Sequence, residues 1–304
     1  MTGVEGALGP LFLLILLGAV LGGCRFPGDG FWPPLERLIY FVLFPAMLVS
    51  TLATANVAEV PVVRVALALL GSMGLFAILL WRWRARLGLE AAAFTSVFQG
   101  ALRFNTYVGV AGAAALHGTA GVTVAAVAVA LMVPVVNVLC VASFVAAGTL
   151  GPSSLGKSLA ALVRNPLILA CVAGIALNLS DIGLPGWSGE AIALLGRAAL
   201  PMGLVAVGVA LRPHALLRLD RGVWAANLIK LALMPALVLS LAILLGLDSV
   251  SRDVVLLFAA LPTATSAYIL ARQLGGDAEL MAALITGQTL LAMLTLPAWL
   301  SLSG

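Results

Sequence analysis

Arg103, Asn105, Thr106 and Tyr107 form a polar patch inside an otherwise apolar stretch, and Pro262, Thr263, Thr265 and Ser266 form a second one in the other half of the chain. Polar groups stranded in hydrocarbon are costly, so such patches persist where they line a cavity or meet each other. A guanidinium is permanently charged and grips a carboxylate through two parallel hydrogen bonds. Hydroxyls and an amide beside it supply neutral donors and acceptors, and the rings of Tyr107 and Tyr268 offer packing for an organic molecule. The chemistry these residues suit is the binding of a small organic anion. Matched interruptions in two membrane spans mark the binding site of a secondary transporter.

The elements that must carry these patches are membrane helices. The 304 residues are 62% hydrophobic and 9% charged, with a mean hydropathy of +1.17. A soluble domain carries about 25% charged residues, and here apolar runs extend from end to end without room for a separate soluble domain. The lipid bilayer is therefore an expected partner. The net charge of +4 does not point to nucleic acid, because the longest basic run, Arg82-Trp83-Arg84-Ala85-Arg86, caps a hydrophobic span. Cys24, Cys140 and Cys171 are scattered singly and read as packing residues, with no disulfide framework or metal spacing. Two histidines and no carboxylate deep in a span leave an enzyme without its acid, base or nucleophile, and no cofactor or metal is expected.

Ten spans are expected, at 8–24, 35–55, 61–82, 91–116, 120–147, 162–180, 190–211, 223–246, 254–273 and 279–302. The absence of Lys or Arg before span one argues that it is retained rather than cleaved as a signal peptide. Loops after odd-numbered spans hold Arg25, Arg37, Arg82, Arg84, Arg86, Lys157, Arg164, Arg212, Arg218, Arg221 and Arg272, against Arg64 and Arg252 after the even ones. Positive charge favours the cytoplasm, which puts both termini outside. Ten spans divide into two sets of five, residues 1–150 and 151–304, joined by a linker at 148–157. An odd number per set inverts the second copy. Pro10 to Gly18 and Pro166 to Gly174 share a spacing, Pro45 answers Pro201, and Pro134 answers Pro297. The fold expected is all-α and integral to the membrane, a 5+5 inverted repeat with discontinuous spans four and nine crossing near mid-bilayer.

Alternatives stay open at several residues. The hydroxyls of Thr263 and Thr265 suit a site or a bond back to their own helices. Arg103 has a structural alternative as partner of helix-end carbonyls, and with it comes a second function, a sodium- or proton-coupled carrier of a neutral or cationic solute. Lys230 reads as shallow enough to snorkel to the cytoplasmic face, and Arg197 as shallow from outside. Asn137 reads as polar glue between helices, with Gln99 and Gln288 either glue or rim. Span four has no proline at its break.

The stretches Arg103-Phe104-Asn105-Thr106-Tyr107, Arg164-Asn165-Pro166-Leu167-Ile168 and Leu261-Pro262-Thr263-Ala264 through Tyr268-Ile269-Leu270-Ala271-Arg272-Gln273, with Gly275-Gly276-Asp277 and the pair Pro45 and Pro201, resemble a bacterial member of the auxin efflux carrier family. The resemblance implies a fold similar to bile acid:sodium symporters, with a scaffold domain from spans 1, 2, 6 and 7. It implies a mobile transport domain from spans 3–5 and 8–10 and elevator-type alternating access. It further implies carriage of carboxylates such as malate, malonate or auxin across a bacterial cytoplasmic membrane, and a homodimer through spans 2 and 7. The proline of the plant pattern at the span-four crossover and the long central loop of plant members are absent here.

Overall fold

The computed structural model describes residues 4–28, 30–55, 59–149, 165–180, 183–184, 186–217 and 220–303. Lys157, Arg164 and Arg218, and most of the linker expected at 148–157, lie outside the described residues. Among those described, every regular element is helical. In chain order they are α1 (Val4–Gly23), α2 (Trp32–Leu52), α3 (Val62–Leu87), α4 (Ala91–Leu102), α5 (Thr106–Ala147), α6 (Pro166–Leu179), α7 (Gly186–Val209), α8 (Arg221–Leu244), α9 (Ser249–Ala260), α10 (Ser266–Leu274) and α11 (Ala278–Ser301), with a 3-10 turn at Pro213–Leu217.

Local chemistry sets many of the helix ends. Asn165 caps α6 by accepting from the backbone of Leu167 and Ile168, with Pro166 in the first turn, where its missing N–H costs nothing. Asp220, Asp248 and Asp277 cap α8, α9 and α11 in the same way, and left-handed Gly275 (φ 78°) ends α10. Both α2 and α8 widen to a π turn, at Ile39–Leu43 and Ile229–Leu233, just before Pro45 and Pro235. Each proline lacks the N–H that an α-helix needs at that position, and the ladder shifts to longer bonds, Phe44 N to Ile39 O and Met234 N to Ile229 O.

The chain folds into two compact units. The first comprises Met1–Val62, Tyr107–Ala130 and Val163–Ala210, and the second Val63–Thr106, Leu131–Leu162 and Leu211–Gly304. In the first, α1 lies against α7, and α2 against α6 and α7. The α1–α7 contact is backbone to backbone: a Cβ at Gly18 would fall on the Val205 carbonyl, and one at Gly208 on that of Ile15. Small residues permit this close approach, the usual route to helix pairing in lipid. In the second unit α11 is the hub, packing on α4, α8, α9, α10 and the 3-10 turn.

Seven stretches of the described residues are long and apolar enough to cross a membrane, against ten expected spans. Expected spans four and five fall in one 57-residue stretch, Ala91–Ala147, which is interrupted at 103–105 and bent at Gly118 (φ 57°, ψ −136°). Span six appears as the short α6, and span nine is split into α9 and α10. Large apolar side chains stand on the outside, including Leu13 (67% exposed), Leu294 (76%) and Leu244 (81%). Such a surface belongs in lipid, and the protein is a multi-pass integral membrane protein.

Candidate functional site

Two helix interruptions face each other within the second unit. The first helix, α4, is twelve residues long and ends at Leu102; Arg103 is extended (φ −68°, ψ 153°) and the chain becomes helical again at Thr106. Its counterpart α9 is also twelve residues long and ends at Ala260; Leu261 is extended (φ −62°, ψ 144°) and α10 starts at Ser266. Pro262 explains the second interruption, because proline disfavours helix in the residue before it. No proline acts at the first. There the break is held from across the junction: the Gly100 carbonyl accepts from the Thr263 hydroxyl (2.7 Å) and from the Gln288 amide (2.9 Å). The Asn105 N–H donates to the Pro262 carbonyl (2.8 Å), and the Thr263 N–H donates to Gln288 Oε1 (2.9 Å). Partners on α11 and at the second break thus replace the helical ladder that α4 gives up.

The expected site residues distribute unevenly over this junction. Asn105, Pro262 and Thr263 are buried in it. Arg103 is half-buried, its Nη1 enclosed without a hydrogen-bond partner, and its guanidinium lies beside the Cys140 thiol. Thr265 and Ser266 open α10, with no side chain capping that end and Ser266 exposed. The Ala267 and Tyr268 N–H groups of that first turn donate to the Ala264 and Thr265 carbonyls, and the amino end keeps the partial positive charge of a helix start, which favours an anion. Thr106 begins α5 next to the break. Tyr107, by contrast, belongs to the first unit, where its ring stacks on Phe44 (4.5 Å between centroids) and lies near Gly203. The ring of Tyr268 is covered by the Arg212 guanidinium at 5.1 Å.

Several residues carry more weight than their sequence positions suggested. Gln288 is the bracket of the junction, and the Thr263 hydroxyl is committed to the Gly100 carbonyl. Gln99, one turn before Arg103, is fully buried with both side-chain polar atoms unpartnered. Cys140, expected as a packing residue, is fully buried and has the Arg103 guanidinium as a neighbour. The expectation that Lys230 snorkels to the surface is corrected: it is 0% exposed. Depth counted along a helix does not reveal which way a side chain faces, and Lys230 faces inward. Polar groups enclosed without partners, at broken helices inside a membrane protein, are the signal that could have drawn attention to Gln99.

A lipid-facing helical protein built around paired helix breaks with an enclosed guanidinium has the makings of a membrane transporter. Residues 151–300 match the family model described as Membrane transport protein. An uncharacterized transporter of Methanothermobacter thermautotrophicus is 23% identical over 297 residues, covering 95% of both chains. A Rhizobium meliloti protein provisionally named a malonate transporter is 28% identical over 322 residues, covering 97% of this chain and 94% of its own. The family match covers the second half of the chain, and together with the two transporter relatives it is in keeping with the resemblance to the auxin efflux carriers.

Proposed function

We propose that the protein is a secondary transporter that moves a small organic anion, carboxylate-bearing, bound where interrupted spans four and nine cross. The observation that carries this reading is the enclosed, unpartnered Arg103 Nη1 at the junction of the two breaks. A cation held there is expensive without an anionic guest. The unpartnered Gln99 amide adds a donor, and the amino end of α10 adds partial positive charge. The provisional name of the Rhizobium relative makes malonate the first anion to test.

The architecture we infer has ten spans, with α4 joined to the first part of α5 as span four and α9 joined to α10 as span nine. Equal half-helices ending in matched extended residues, Arg103 and Leu261, support a 5+5 inverted repeat. The reading includes a scaffold and a moving transport body with elevator-type access. In its support, spans 1, 2, 6 and 7 fall in the first compact unit and spans 3, 8, 9 and 10 in the second, while Tyr107–Ala130 of spans four and five falls in the first. Both termini lie outside the cytoplasmic membrane in this reading. The exposed Phe41, Leu194 and Leu195 on α2 and α7 would supply the apolar contact of a homodimer.

Purified protein in liposomes, tested for uptake of labelled mono- and dicarboxylates, decides the matter. Wild type should carry at least one of them, and Arg103→Ala should lower that uptake at least tenfold. Normal transport of every hit by Arg103→Ala would remove the assigned site.

A further inference from the structure

Lys230 is the only charged side chain fully buried among the described residues. Its ammonium has one hydrogen-bond acceptor in the structure, the Met234 thioether at 3.9 Å. It lies in the π turn of α8, an irregularity found often at functional sites, and this turn packs on α4, α9 and α11. The Leu231 carbonyl in the same turn accepts from Trp299 Nε1 (2.8 Å), so the turn is fixed from α11.

Two independent reckonings put Lys230 at the level of the helix breaks. Helices α8 and α9 form an antiparallel hairpin; Lys230 stands fourteen residues before Leu244, and Thr263 fourteen after Ser249. A Cβ at Gly222, near the start of α8, would lie 2.7 Å from Val97 and 3.3 Å from Leu89, which flank the first half of α4. Eight residues further on, at about 1.5 Å each, Lys230 reaches roughly the end of α4 at Leu102. The charged groups on the neighbouring elements are few. Helix α4 has none and is followed directly by Arg103, with Cys140 beside it; α9 has Arg252 and Asp253 in its first turns, α11 has Glu279 at its start, and α8 itself has Arg221.

An ammonium enclosed with only a sulfur acceptor is unfavourable, and releasing its proton removes the cost. An anion arriving at the breaks changes that balance. By Coulomb's law, a unit negative charge about 8 Å from an amine at an effective dielectric of about 20 would favour its protonated form roughly thirtyfold. We propose that Lys230 is the proton-coupling residue of this carrier: its amine is neutral while the site is empty and takes one proton from solution when an anion occupies the site, so that anion and proton move together. This rests on the anion-carrier reading above. It supplies a coupling group where no buried carboxylate exists among the described residues. It also offsets the work of bringing an anion into a negative cell interior.

Linkage makes the idea measurable, because a proton that follows the anion must in turn strengthen anion binding. The test uses purified full-length protein and malonate, then whichever anion gives the highest uptake in the liposome panel. Binding is followed from about pH 6 to about pH 9, with proton uptake read by an indicator dye in weak buffer. Wild type should weaken by about tenfold per pH unit across the window where only the loaded form holds the proton. It should take up close to one proton per anion. Lys230→Met should bind more weakly, with a pH-independent Kd and no proton uptake. Lys230→Arg, permanently charged, should also show a flat Kd, and it decides the question if the Met variant does not fold. A wild-type pH slope retained in either variant, or a flat Kd in wild type, overturns the proposal and leaves the carrier intact. A wild type that binds no anion in the panel overturns the anion-carrier reading itself.

Discussion

Gln288→Leu should destabilise the protein more than Thr263→Val, and the double variant should lose more than the two together. The reason is one shared acceptor. Thr263 Oγ1 and Gln288 Nε2 both donate to the Gly100 carbonyl, at 2.7 and 2.9 Å, and Gln288 Oε1 accepts the Thr263 N–H at 2.9 Å. Thr263 and Gln288 are 0% exposed. Thr263→Val removes one donor and leaves the carbonyl satisfied by the other. Hydrogen bonds between helices in membranes average about 0.6 kcal/mol, so the loss is about 0.5–1 kcal/mol. Gln288→Leu removes the second donor and also orphans the Thr263 N–H, which adds about 1–3 kcal/mol. In the double variant the Gly100 carbonyl has neither donor, and a further loss of about 1–2 kcal/mol appears beyond the sum.

Thermal unfolding of the purified variants in detergent reads these differences. A change of 1 kcal/mol shifts the melting temperature by about 2–4 °C in chains of about 200 residues, and by about 2 °C in a longer one. Thr263→Val should then fall by about 1–2 °C, Gln288→Leu by about 3–8 °C, and the double variant by about 2–4 °C more than their total. Equal single effects with an additive double would refute the reasoning. Span four would then be broken by something other than this carbonyl and its two donors.

Gly208→Ala should lower the melting temperature by several degrees, because its Cβ would meet the Ile15 carbonyl and overpacking costs about 1–3 kcal/mol; Gly9→Ala, with no atom within 4 Å, should be silent. Burial pushes the Asp248 carboxyl up, but hydrogen bonds from Ser251 and Val250 outweigh it and hold the group below the usual carboxylate range. Its contribution is present above the ordinary carboxylate range and is lost as pH falls through the lowered value, so Asp248→Asn should flatten the acid limb of a pH–melting curve. Of the three cysteines Cys24 alone is exposed, and it follows span one; a membrane-impermeant maleimide should label it in inside-out vesicles and not in intact cells if the inferred orientation holds.

What the sequence made legible was whatever acts locally along the chain. Pro262 breaks its helix through the residue before it, and the break is where the proline puts it. Arg103 announces itself by charge. The interruption before Thr106 was legible only as polarity, because its physical cause lies about 160 and 190 residues away, at Thr263 and Gln288. The roles of Gln288 and Cys140, and the inward turn of Lys230, have the same character: each depends on which neighbour a helix face meets. The contact of the Tyr107 ring with Phe44 has the same character, since its place in the patch said nothing of that neighbour.

The two breaks are alike in shape and unlike in cause. The second has a local cause, because Pro262 disfavours helix at Leu261. The first exists only while the Gly100 carbonyl and the Asn105 N–H find their partners across the junction. It follows that the extended backbone of Arg103 is sustained by Pro262, Thr263 and Gln288 rather than by its own sequence. Any change that lets α9 run on into α10 removes the Pro262 carbonyl from the reach of Asn105, and with it part of what keeps Arg103 out of a helix. The guanidinium therefore cannot be repositioned without disturbing the second break. In a carrier that must present the same site to both sides of a membrane, such mutual support favours moving the junction as one body over remaking it at each turn.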